Sequence, residues 1–334
     1  EVFNQKMFMA PPFAGVNPVN GQPVFKSQMS KVVGLHPQLL GYDPASSQGM
    51  NIGWNRQGRP DQLAAFNSTV KYQWYAGRIE RDASGNIQHI PVEFGSLNLF
   101  PSDLMYQQPN GLFGAMIIEP ANTASITCDG PSGPTSCDPN PSASPTPVPP
   151  TTRASATVTL ADSSKYREFV TMFSDNLRVA GSSQAVNYRT EPQGFRYTGF
   201  STSDFSCMTS NQLVNGDPQT PIYTANAGDK VRFRLLHTFG TGTSQVFSLH
   251  GHAWQRNPYN NNSTQLGDQK LSQWLGSRDN YGSTDHADIL LSKAGGEGGR
   301  PGDYLYTAFV PVQGSQGPWG IFRVGGGGGG NGTD

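Results

Sequence analysis

Apolar residues recur in this chain at every second position over short runs, the period of strands rather than helices. Thr69–Tyr75 (Thr-Val-Lys-Tyr-Gln-Trp-Tyr) alternates in this way, and Lys31–Asp43 reads as a strand entering a turn. Gly111–Pro120 is an apolar run stopped by proline, which cannot donate to a strand ladder. A second group follows: Ala156–Leu160, Arg167–Phe173, Pro221–Thr224, Lys230–Leu236, Gln245–Trp254, Asp303–Phe309 and Pro318–Val324. No long run carries a helical period. Gly111–Glu119 and Gly317–Val324 are similar to one another, a weak internal repeat that predicts two copies of one β-sandwich.

The pattern therefore predicts an all-β chain: a first domain over 1–122, N-terminally incomplete, a linker over 123–155, a second domain over 156–324 and a Gly-rich tail over 325–334. The linker expectation rests on its Pro-Asn-Pro-Ser-Ala-Ser-Pro-Thr-Pro segment, a composition that favours extended, semi-rigid chain. Cys128 and Cys137 bracket a turn-rich stretch that could close as a small disulfide loop, while Cys207 is left over and expected to be buried.

Composition narrows the function classes. The 334 residues include 40 Gly and 26 Pro, fitting many short strands joined by turns. Only 14% are charged, the formal net charge is −1, and no Lys/Arg run exists, which argues against nucleic acid and anionic membranes as partners. No stretch approaches the roughly 18 apolar residues of a membrane span. The start at Glu1 reads as a processed terminus. Low charge and the cysteine pair point to an extracellular or cell-surface location, with the periplasm as the alternative.

Candidate chemistry centres on Phe247-Ser-Leu-His-Gly-His-Ala-Trp254. On a strand, alternate side chains share a face, so His250 and His252 would present two imidazoles to one metal. The other reading is a pair of ordinary hydrogen-bonded histidines, since two ligands do not make a site. Leu-His-Gly-His followed by an aromatic also resembles the tail of the His-Pro-x-His-Leu-His-Gly-His motif of multicopper oxidases. That family's type 1, type 2 and type 3 ligand slots then fall on Gln245, Ser248 and His250.

The resemblance extends over roughly 31–120 and 156–324, looking like two cupredoxin-like Greek-key β-sandwich domains of a bacterial multicopper oxidase. Leu35-His36-Pro37-Gln38 resembles the family's His-Pro-His-Gly, with its type 2 and type 3 slots on His36 and Gln38. The next His-x-His slot falls in Phe94–Leu99, which holds no histidine. The last motif, His-Cys-His-x3-His-x4-Met/Leu, falls on Thr307, Ala308, Phe309, Gln313 and Pro318. A blue copper centre needs a thiolate with imidazoles, and none is near. The six histidines of the chain are too few for the family's copper cluster. Copper therefore rests on His36, His250 and His252 as candidate metal ligands, with no catalytic residue identified. His89, His237 and His286 read as ordinary polar or packing residues, and Asp285, Asp288 and Asp303 as structural turn residues.

Two function classes follow. One is a secreted structural or self-assembling module, retired from oxidase chemistry, whose incomplete first domain leaves an edge for a second copy or another chain to complete, even as a filament. The other is a fragment or subunit of a copper-dependent oxidase of phenols, Mn(II) or other metal ions, with the remaining ligands in domains not present. A third class, a carbohydrate- or surface-binding sandwich, would use Trp54, Trp74, Trp254 and Trp274, most of which the pattern places in the core.

Overall fold

The computed structural model describes residues 15–16, 23–24, 29–55, 62–130, 133–136, 154–177, 183–192, 196, 207–210, 216–240, 244–261, 263–308 and 317–326. Among the described residues the regular structure is nearly all strand, as the alternation predicts. It folds as two compact units. One draws on the described parts of 1–36, 42–74 and 100–113, the other on Pro37–Gly41, Tyr75–Leu99 and the described residues from Gly114 onward.

The first unit is poor in regular structure and is held by loop hydrogen bonds. Val33 and Ala64 bond each other through both backbone pairs, at 2.9 and 2.7 Å. The buried Gln62 amide accepts from Gln48 N and donates to Pro44 O. Trp74 donates its indole N–H to Ser47 O at 2.7 Å and stacks on Tyr72. Trp54, one of four tryptophans of which the pattern places most in the core, is 87% exposed.

The second unit is a two-sheet sandwich. In one sheet the strands run in the order Gly133–Ser136, Thr123–Gly130, Ser155–Leu160, Lys165–Leu177, Val231–Phe239 and His286–Leu291. The central pair, Lys165–Leu177 with Val231–Phe239, is parallel and its neighbours are antiparallel. In the other sheet the order is Ile222–Asn226, Trp319–Gly325, Gly302–Ala308, Gln245–Leu249 and Ser277–Tyr281. Thr123–Gly130, which composition assigns to the linker, is thus a paired strand. Cys128 lies buried on it, while Cys137, the proline-rich stretch and most of the glycine run lie outside the described residues.

Alternation fixes which side chains enter the core. Val231, Phe233 and Leu235 face the sandwich interior with Phe169 and Phe173, meeting Tyr223, Phe247, Tyr306 and Phe322 from the other sheet. The rings interlock, with Phe233 5.1 Å from Phe169 and 5.4 Å from Phe322. Arg232 and Arg234, between those apolar residues, point to the opposite face. There, Gly95–Pro101 pairs antiparallel with Gly114–Ile118. Gly95 has φ +67°, and a Cβ on it would fall 2.1 Å from an Asp288 carboxylate oxygen, so the position requires glycine.

Candidate functional site

The strand carrying the histidine motif ends at Leu249, one residue too early for the expected pairing. His250 and Gly251 form a turn, with Gly251 at φ +69° and the Tyr304 ring packed where a Cβ would project. The turn breaks the alternation, so the two imidazoles do not share a strand face. His250 is exposed on the lining of a cavity of about 600 Å³ that also includes Lys293 and Glu297. His252 is buried, and its Nδ1 donates to His250 O at 2.8 Å. Its Nε2 accepts from the Gly295 and Gly296 backbone N–H groups, each at 3.1 Å. Burial holds the His252 pKa below its ordinary value, which keeps Nε2 an acceptor. Both nitrogens are bonded to the backbone, so in this arrangement His252 organises the loop at Gly295 and Gly296. Replacing His252 with Ala should leave two glycine N–H groups without their acceptor and cost about 1–3 kcal/mol in a urea unfolding curve.

His36 belongs to the first unit, where its Nδ1 donates to Gln48 O at 3.0 Å and its ring meets Tyr42 edge-on. His250 and His252 belong to the second. Among the described residues, no group of three or more His, Cys, Asp or Glu side chains is placed to hold a metal.

Several positions matched to copper-ligand slots carry amides instead, bonded to protein groups. Gln38 donates from Nε2 to Thr284 O at 2.8 Å and accepts from Asn98 Nδ2 at 3.1 Å and Asn98 N at 3.2 Å. Asn98 Nδ2 also reaches Thr284 O and Asp285 O, each at 3.2 Å. Gln245 donates to the buried Asp175 carboxylate. Ser248 stands opposite Thr307 across the strand pair, and Ala308 opposite Phe247. A type 1 copper needs a thiolate, and its slot holds the buried methyl of Ala308. These residues do not fit a type 1 centre. The amides at Gln38 and Asn98 likewise lack the imidazoles of a copper cluster.

His237 is fully buried on Val231–Phe239. Its Nδ1 donates to Tyr281 O at 3.2 Å. Burial outweighs the Asp175 carboxylate 3.7 Å from Nε2 and holds the His237 pKa below 6.5. His286 and His89 also lie on strands.

The largest polar feature of the second unit is absent from the sequence expectations. Arg234, fully buried, donates from Nε to Glu168 Oε2 at 2.7 Å, from Nη1 to Asp288 Oδ1 at 2.9 Å and from Nη2 to Glu119 Oε2 at 3.1 Å. Tyr166 donates to the same Glu119 oxygen at 2.6 Å, and Arg232 pairs with the buried Glu93 at 2.5 Å. Asp288 is therefore an ion-pair partner on a strand, not a turn residue. Asp303 likewise lies on a strand and pairs with Arg323 at 2.8 Å.

Burial, opposed by Arg234 and reinforced by Glu119, pushes the Glu168 pKa up to about 8. Burial would raise Glu119 too, but Arg234 and hydrogen bonds from Glu168 and Tyr166 bring it below the usual carboxylate range. Glu168 and Glu119 therefore titrate as a pair around Arg234, with Glu168 the member pushed toward its protonated form. The sequence signal is the Arg232–Arg234 spacing inside an apolar strand, but the acids that answer it are distant in the chain.

No protein-family model matches this chain, and no curated protein matches it by sequence. Solved structures do show likeness. A multicopper oxidase is 14% identical over 88% of this chain and 70% of its own, with a TM-score of 0.40. A copper-containing nitrite reductase from Thermus scotoductus is 13% identical over 88% of this chain, with a TM-score of 0.38. This chain spans 49% of that enzyme. A copper nitrite reductase from Nitrosomonas europaea is 12% identical over 89% of this chain and 75% of its own, with a TM-score of 0.40. Likeness at that level carries no argument about activity. Among the described residues, no helix is long and apolar enough to cross a membrane.

Proposed function

We propose that this chain is a secreted, multicopper-oxidase-like pair of cupredoxin-like sandwich domains that serves as a structural or self-assembling module. Hydrogen-bonded amides have taken over ligand positions of the copper chemistry. The observation that carries the reading is the Gln38–Asn98 pair. Gln38 occupies a slot where the resembling family has a histidine, and its amide is joined to Asn98 and to Thr284 O. An amide so engaged contributes to the cohesion of the second unit, and reopening it for a metal would leave buried polar groups unmatched. His252, bonded through both ring nitrogens, supports the same reading. Self-association with a second copy, or association with another chain, belongs to this proposal.

Elemental mass spectrometry and an absorption spectrum on the purified chain test it together. The expected result is copper far below one ion per chain and no blue band. One or more coppers per chain would overturn it and favour the reading as part of a copper-dependent oxidase. Light scattering after size exclusion tests assembly separately, with masses of several chains expected and a strict monomer arguing against it.

A further inference from the structure

At one end of the larger sheet of the second unit, a groove of about 320 Å³ opens beside Trp274. It is lined by Leu160 and Leu290 and flanked by Lys165, Lys230 and Arg232. Trp274 is 63% exposed, leaving most of a large indole in water beside an apolar recess. The three cations are not equivalent. Arg232 is committed, with its guanidinium 4.1 Å above the Tyr166 ring and paired to Glu93. Lys165 and Lys230 are exposed, and no hydrogen bond or ion pair joins either ammonium to a described residue, although Lys230 lies within electrostatic reach of the exposed Asp162 carboxylate. The acid on the lining, Asp268, is already bonded by Gln255 at 2.5 Å.

Such a recess has the volume of a small-molecule site, with apolar walls and a few charges to orient a ligand. We propose that it binds a small flat carboxylate, its aromatic body against Trp274 and Leu290 and its acid group answered by Lys165 and Lys230. Aromatic faces stack favourably on indole, and two exposed ammonium groups at the mouth of an apolar recess attract an anion. A sugar is a poorer fit, because its ring of hydroxyls would meet aliphatic walls and a Gln255 amide already bonded to Asp268 and to Gln269 N. The site is independent of the copper-ligand slots and of the scaffold reading.

Isothermal titration of the full chain with 2-naphthoate at low salt tests the proposal. One saturable site is expected, weakened about tenfold by Trp274→Ala, in line with the loss of an aromatic contact and its buried area. The Lys165→Gln/Lys230→Gln chain should bind several-fold more weakly and lose the salt dependence. Neutral 2-naphthalenemethanol should bind much less well than the acid. The proposal is overturned by no saturable binding of 2-naphthoate, by equal binding of the neutral alcohol, or by tighter binding of galacturonate. Undiminished affinity in both variants would also overturn it. Both lysines lie at the surface, so the double variant keeps the test decisive if the tryptophan variant does not fold.

Discussion

Arg234→Ala is expected to remove about 3–5 kcal/mol of folding stability, the usual result of deleting one partner of a buried ion pair. The guanidinium is fully buried and divides its donors among Glu119, Glu168 and Asp288. Without it, those acids face one another in a dry interior, with Arg232 already engaged by Glu93. The structure can respond only by binding protons or admitting water, and both cost stability. Arg234→Lys should recover part of the loss, because an ammonium supplies charge but not a planar fork for separate carboxylates. Urea unfolding at pH 7 measures both variants. A loss below about 1 kcal/mol for Arg234→Ala would mean that the acids are not organised by this guanidinium.

Stability should fall between pH 7 and 8, and Glu168→Gln should remove much of that fall. The folded chain holds a proton on Glu168 up to about pH 8, whereas the unfolded chain releases it near 4.5. Between those values the native state carries the extra proton, so the contribution of this group declines as pH rises, by up to about 1.4 kcal/mol per pH unit. It is fully present below 4.5 and lost through about 8. Glu93, raised chiefly by burial, acts in the same direction above its ordinary value. His237 and His252 act oppositely: their lowered pKa values make stability rise as pH climbs toward 6.5. The difference between wild type and Glu168→Gln isolates the Glu168–Glu119 pair, because the groups outside it are common to both. Glutamine can still accept from Arg234 and donate to Glu119. The expected difference curve slopes downward from pH 5 to 8; a flat curve would show that Glu168 is ionised in the folded chain.

How much is legible in the sequence varies with the distance over which a property is set. Phe169, Phe233, Phe247 and Phe322 are readable as core because alternation on a strand is local. The His250–His252 pair misleads for an equally local reason that only coordinates reveal. Gly251 in the left-handed region turns the chain before the second histidine, and period-two reasoning stops there. Most of the four tryptophans read as core, yet Trp54 and Trp274 are exposed. Thr123–Gly130 reads as linker because it holds few large apolar residues, but pairing with Ser155–Leu160 makes it a strand.

By itself, the sequence determined the all-β class, several strand segments of the second unit and the absence of a cysteine from residues 303–309. Each depends on residue type and short-range periodicity. Tertiary structure alone decided that Arg234 meets Glu119, Glu168 and Asp288, and that Gln38 meets Asn98. It alone also decided that two lysines flank an open indole. The physical reason is that charge pairing and pocket formation depend on which strands become neighbours. A strand's own pattern says which side chains share a face, and leaves open what that face will meet.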